Sequence, residues 1–230
     1  MAFGDVLILA ENTNTSQLTA YPTSSYTPTA GRLIVAGTLI TASSAPGTPT
    51  LTGNGLTWSL IDEIGYSTLA APTKLLSVFQ APVISPSSGA CEIASSSGTL
   101  TSCTWSIVEL DLAALVGGIV QAQKAGSDVT QTSALVPMNP FADAGNLALA
   151  FSVLNNQQAQ TERPNWNRIS DLPGTAPATG FLSQYFLGDD GDASASWGSV
   201  TRWAMIALEI KAQVAPAQVW RRQVPMMLMR

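Results

Sequence analysis

The sequence writes one succession of short apolar runs twice, in the same order, and that repetition is what most narrows the folds open to it. The first half reads "GRLIVAGTLIT", "GLTWSLIDEI", "KLLSVFQAP" and "GTLTSCTWSIVELDLA"; the second reads "GNLALAFSVLN", "PNWNRISDL", "GFLSQYFLG" and "ASASWGSVTRWAMIALEIKA". Each half has a Gly-led apolar run, a Trp followed by an Ile and an acid, an aromatic run and a closing Trp run. Trp58, Ile61 and Ile64 precede Trp166, Ile169 and Leu172 by 108 positions, while Trp105 and Leu110 precede Trp203 and Leu208 by 98. The difference falls in "ISPSSGACEIASSSG", which is longer than "GDDGDAS"; loops absorb insertions of this kind.

The runs are short, bounded by Gly, Pro, Ser and Asn, and alternate apolar with polar side chains, which is the pattern of β-strands at regular spacing. In "SASWGSVTRW", a period of two places Ala195, Trp197, Ser199, Thr201 and Trp203 on one face. The run "WAMIALEI" also fits a helical period, but Gly198, Ser199, Val200 and Thr201 are poor helix starters and continue the alternation. Between the halves, "GGIVQAQKAGSD" and "VTQTSALVPM" read as two further strands, and "DLAALVG" as a short helical turn capped by Asp111. With no flexible spacer between them, the halves are expected to form one all-β domain. That domain is a single antiparallel β-sandwich of roughly ten strands, jelly-roll-like, built from two pseudo-repeats. The expected organisation is an N-terminal arm or edge strand over 1–25, the sandwich over 26–212 with pseudo-repeats at about 31–112 and 145–212, and a C-terminal interaction arm over 213–230.

Composition agrees with a β-rich particle-bound or extracellular protein. Hydrophobic residues make up 46% and charged ones only 11%, against roughly a quarter charged in globular chains. A net charge of −5 gives no electrostatic reason to bind nucleic acid, whose affinity rests on Lys and Arg at phosphates. No run reaches the roughly 20 apolar residues of a membrane helix, and the start lacks the basic and apolar regions of a signal peptide. The expectation is a soluble protein made in a host cytoplasm that reaches the outside only as part of a larger object. Cys91 and Cys103 flank "EIASSSGTLTS"; a hairpin could bring them face to face, but two buried free thiols are the favoured reading.

Histidine is absent, which removes Ser-His-Asp and Cys-His nucleophile systems and the commonest zinc ligand. The carboxylate candidates for a glycosidase are Asp62 with Glu63, Glu109 with Asp111, and Asp189, Asp190 and Asp192. Asp62 and Glu63 are adjacent and point to opposite strand faces. Glu109 and Asp111 share a face, but the 98-residue alignment puts Ala207 in place of Glu109. "GDDGDAS" lacks the length and terminal Glu of a calcium loop and reads as an Asp/Gly turn. Trp58, Trp105, Trp166 and Trp203 hold repeated positions and read as packing anchors, leaving Trp197 and Trp220 as the freer aromatic faces. The expectation is no enzyme and no cofactor or metal.

The last eighteen residues, "QVAPAQVWRRQVPMMLMR", differ from the rest. All 15 acids lie at or before Glu209, whereas this segment holds three arginines, Trp220 and a set of methionines. Met, Trp and Arg are what interface cores prefer. Trp220, Arg221, Arg222, Met226, Met227, Leu228 and Arg230 are therefore the expected partner-binding residues. The N-terminal segment could serve as a second arm, or supply an edge strand by β-addition.

The succession "SYTPTAGRLIVAG", "PTLTGNGLTWSLID", "GTLTSCTWSIVEL" and "WAMIALEIKA", covering roughly Tyr26 to Ala212, resembles β-sandwich structural proteins of tailed-phage virions. The resemblance implies a virion component on the outer surface of the particle. The first expectation is a capsid cement or decoration protein that clamps neighbouring subunits, with the major capsid protein, further copies of itself, or both as partners. The alternative is a tail-tip or fibre module that binds a receptor or glycan near Trp197, Asp189, Asp190 and Asp192.

Overall fold

The computed structural model describes residues 5–68, 71–96, 98–111 and 113–213, so the seven arm residues from Trp220 to Arg230 lie outside the described residues. No helix occurs among the described residues, and the strands pair antiparallel throughout. In chain order they are β1 (Val6–Asn14), β2 (Ala20–Pro22), β3 (Leu33–Thr41), β4 (Pro49–Gly53), β5 (Ser59–Tyr66), β6 (Lys74–Pro82), β7 (Cys91–Ser95) and β8 (Ser102–Leu110). Next come β9 (Ile119–Pro137), β10 (Leu147–Leu154), β11 (Gln160–Glu162), β12 (Asn167–Asp171), β13 (Gly174–Thr175), β14 (Ala178–Leu187) and β15 (Asp192–Ile210).

One large sheet has the order β1-β8-β3-β6-β5 and the other contains β15-β10-β14-β12, with β9 beside β15. The strands that the sequence matches across its halves thus follow one another identically in the two sheets. The sheets stack as an antiparallel sandwich. Leu33, Val35 and Leu39 of β3 and Val108 and Leu110 of β8 meet Leu149, Phe151 and Val153 of β10 and Ala204, Ile206, Leu208 and Ile210 of β15. Alternation makes this possible, since successive side chains leave opposite faces of a strand.

The opposite faces are covered as well, which is why β3, β8 and β10 are buried along their whole length. A small sheet, β2-β7-β4, lies over the first large sheet and packs Tyr21, Leu51 and Ile93 against Ile34, Ile40, Trp105 and Ile107. Over the second, the chain covers itself. The pairing of β15 with β9 is irregular between Ser196 and Trp203, and the N-terminal part of β15 pairs with β11 and the end of β9. Ala134, Val136, Ala193, Ala195 and Trp197 then pack on Ala148, Ala150, Met205 and Ala207.

The two expected linker strands are one 19-residue strand, β9, because β15 offers it a continuous partner at both ends. No helical turn forms among the described residues of "DLAALVG". Ala113 bridges Ala212 and the Ala114 N–H donates to the Lys211 carbonyl, so groups that a helix would satisfy internally are taken by the end of β15. The N-terminal stretch supplies β1, an edge strand of its own chain's sheet paired with β8.

The pairing register moves one correspondence. Glu109 stands opposite Ile34 and Glu209 opposite Ala148, the fourth residues of "GRLI" and "GNLA". The two glutamates, rather than Trp105 and Trp203, therefore hold like places. At the other edge, Ile61 and Ile169 are each skipped by the ladder, a bulge that swings both isoleucines onto the inter-sheet core.

Candidate interaction surface

The acids considered for chemistry are engaged in holding the fold. Glu109, 1% exposed, accepts from the Thr29 N–H at 2.6 Å and from Arg32 at 3.0 Å. The same guanidinium reaches Asp111 at 3.6 Å. Glu209, also 1% exposed, accepts from the Ala142 N–H at 2.8 Å, Asn146 Nδ2 at 2.6 Å and Gln121 Nε2 at 2.8 Å. Glu209 is buried because the outer layer covers that face of β15. Each glutamate ties down the turn that leads into a central strand, β3 or β10.

The Asp189–Asp192 turn is likewise occupied. Asp190 accepts from Arg163 Nε at 2.6 Å and Trp166 Nε1 at 2.7 Å. Burial works against its charge, but these two hydrogen bonds and the guanidinium outweigh it, so its pKa falls below the ordinary value. Asp189 accepts from the N–H groups of Phe141 and Gly191, and Asp192 lies 3.8 Å from Arg163.

Trp197 is no free aromatic face. It is 7% exposed, packs in the outer core and donates to the Gln131 carbonyl at 2.8 Å. The irregular turn after Trp197 folds the start of β15 inward, something a plain period of two cannot foresee. Trp105, Trp166 and Trp203 are buried and Trp58 is half-buried. A hollow of about 400 Å³ opens on the outer layer between Ser133, Leu135, Glu162, Arg163, Ser194 and Ser196, and no aromatic side chain lines it.

Several groups of shifted titration are buried, a lysine and both cysteines among them. The Lys74 ammonium donates to the Ala178 carbonyl at 2.7 Å and lies 6.0 Å from the Tyr66 ring centroid, and burial pulls its pKa down to about 8. Cys91 and Cys103 are free thiols in the layer between the small sheet and the first large one. Burial pushes the Cys91 thiol up to about 11, and the Cys103 thiol well up. Thiols this reluctant to ionise are poor nucleophiles.

While Val129 and Val200 stand at one end of the sandwich and Leu135 on the outer layer, five of the exposed large apolar side chains lie at the opposite end. That end is where β3 and β10 begin and β8 and β15 finish, and the loop joining the halves crosses it. Leu7 and Ile8 at the start of β1 are 42% and 45% exposed, Val116 in the loop 91%, Val120 at the start of β9 41% and Leu187 at the end of β14 46%. Asp5, Asp143 and Asp189 are exposed at the same end. The described chain enters there at Asp5 and leaves there after Ala212, whose N–H donates to Asn146. The sequence held one signal of this surface. "VLIL" at 6–9 is apolar at four successive positions, and an edge strand can turn only half of them inward.

Set beside known protein families, curated proteins and solved structures, the chain matches none of them.

Proposed function

We propose that this protein is a structural subunit of a tailed-phage particle, a cement or decoration protein on the outer surface of the head that clamps neighbouring capsid subunits. The observation that carries this reading is the end at which the described chain both begins, at Asp5, and finishes, after Ala212, and at which Leu7, Ile8, Val116, Val120 and Leu187 stand exposed. Exposed apolar groups gathered in one region mark an interaction site. A stiff body with its attachment groups at one end suits a part that binds in place and carries load. Non-catalytic duty is supported by the hydrogen bonds that occupy Glu109, Glu209 and Asp190 and by the burial of both thiols.

The topology supports a finer reading. In the first half, strands 1-8-3-6 form one sheet and 2-7-4 the sheet over it, the succession of a jelly roll. In the second half, the end of β9, the start of β15 and β11 lie over β15-β10-β14 in the same sequence. We read the chain as two jelly rolls, one per pseudo-repeat, joined through their larger sheets.

Deleting residues 213–230 and measuring occupancy on bare capsids tests the clamp. Occupancy should fall by at least tenfold; unaltered occupancy overturns it. Copy number in purified particles places the protein, since hundreds of copies mean the head and a handful mean the tail.

A further inference from the structure

We propose that the apolar, acidic end of the sandwich is the docking surface for residues 214–230 of a second copy of this chain. This deepens the reading of the C-terminal segment as an intermolecular arm, and rests on it.

The chemistries match. The surface offers Leu7, Ile8, Val116, Val120 and Leu187, rimmed by the exposed carboxylates of Asp5, Asp143 and Asp189. The segment offers Trp220, three methionines and a leucine, with Arg221, Arg222 and Arg230 and no acid. Among the described cations near this end are Arg32, already held by Glu109 and Asp111, Arg163, held by Asp190, and the exposed Lys211. Two bare ends brought together would set carboxylate against carboxylate. With the arms between them, six arginines face those acids.

The arm's root and length put a second copy within reach. β15 runs toward this end, where Ala212, bridged to Ala113 and bonded to Asn146, is the root of the segment. Seventeen residues reach roughly 55 Å when extended, enough to cross onto a facing copy. Because arm and receptor share one end, two copies related by a two-fold axis exchange arms reciprocally. The pair then closes as a dimer instead of growing into a filament.

Sedimentation equilibrium on the full chain tests this, with two variants. The end variant carries Leu7→Asp and Val116→Asp, both at exposed positions; the arm variant carries Trp220→Ser, Arg221→Glu and Arg222→Glu. The wild-type chain should form a concentration-dependent dimer, and each variant alone should dissociate at least tenfold more readily. A mixture of the two should regain association beyond either alone, since one arm then meets one intact end. Unchanged near-UV circular dichroism verifies the fold of each variant. A wild-type monomer at every concentration overturns the proposal, as does an end variant that dimerises like wild type or a mixture that regains nothing. Capsid occupancy is read separately. A dimer that ignores capsids sinks the cement reading and leaves the docking surface standing.

Discussion

The ring of Phe151 on β10 fills the space that a side chain at Gly37 on β3 would need. A Cβ at residue 37 would lie 2.2 Å from Phe151 Cδ1 and 2.6 Å from Cε1. The two residues sit midway along the central strands of facing sheets, so this contact sets how closely the sheets approach. Gly37→Ala should destabilise the protein by about 2 kcal/mol, the usual scale of overpacking a tight core, read as a lower urea midpoint. Adding Phe151→Leu should recover part of the loss, a coupling that independent sites would not show. A Gly37→Ala midpoint equal to wild type would remove the contact from the account.

The two buried glutamates should respond alike, and unlike an acid in a part-exposed ion pair. Glu209→Ala leaves the Ala142 N–H and two side-chain amides, that of Asn146 buried, without their acceptor, a loss of about 2 kcal/mol. Glu109→Ala should cost a similar amount, because it leaves the Thr29 N–H and Arg32 without their acceptor. Asp62 pairs with Lys124 at 2.6 Å, but that lysine is 43% exposed. Asp62→Asn should therefore cost less than about 1 kcal/mol. Denaturant titrations of the three variants decide the order.

Lys74 makes stability depend on pH in an unusual direction. Its pKa is about 8 in the folded chain and 10.5 in the unfolded one. Between those values the unfolded chain binds the extra proton, so this group's contribution to stability rises with pH and is least favourable below 8. Cys91, Cys103 and the buried tyrosines, whose pKa values are raised, act oppositely at the upper part of the range. The clean measurement is the stability of wild type minus that of Lys74→Met, which should increase from pH 8 to 10.5. A flat difference would mean that the ammonium titrates normally.

The two thiols should be silent until the protein opens. Burial raises both pKa values, and neither sulfur is bonded to the other. Iodoacetamide at pH 8 should leave the native chain unmodified and add two groups after denaturation. Rapid labelling of the folded chain would contradict the packing of β7 against β8.

Much of this architecture was legible because its strands obey a simple rule. Residues such as Leu149, Phe151 and Val153, or Ala204, Ile206 and Leu208, face one core by alternation alone, and local turn residues bound each run. The matching offset that pairs Ile61 with Ile169 also fell on two residues bulged in the same way. What alternation could not supply was coverage. Whether the second face of β15 meets water or protein depends on the start of that strand folding back, and so alternation leaves Trp197 as a freer aromatic face when it is buried. The register of the closing strands was likewise hidden, because Trp105 and Trp203 offered a stronger visual match than the two glutamates that anchor them. The docking end was legible only in the excess of "VLIL", since it gathers residues from five separate segments. The arm residues Trp220 to Arg230 are not among those the structure describes.

The common end of both terminal segments also determines how the molecule answers a pull. A force drawing Val6 and Ile210 apart acts on the first rungs of the pairings with Leu110 and Leu147. In β1 it would break the rungs one after another, like a zipper, instead of shearing the whole ladder at once. Tension carried through a C-terminal segment alone meets β15, held by β10 on one side and β9 on the other. A tether at the C-terminus should therefore withstand a steady load, while one at the N-terminus should peel.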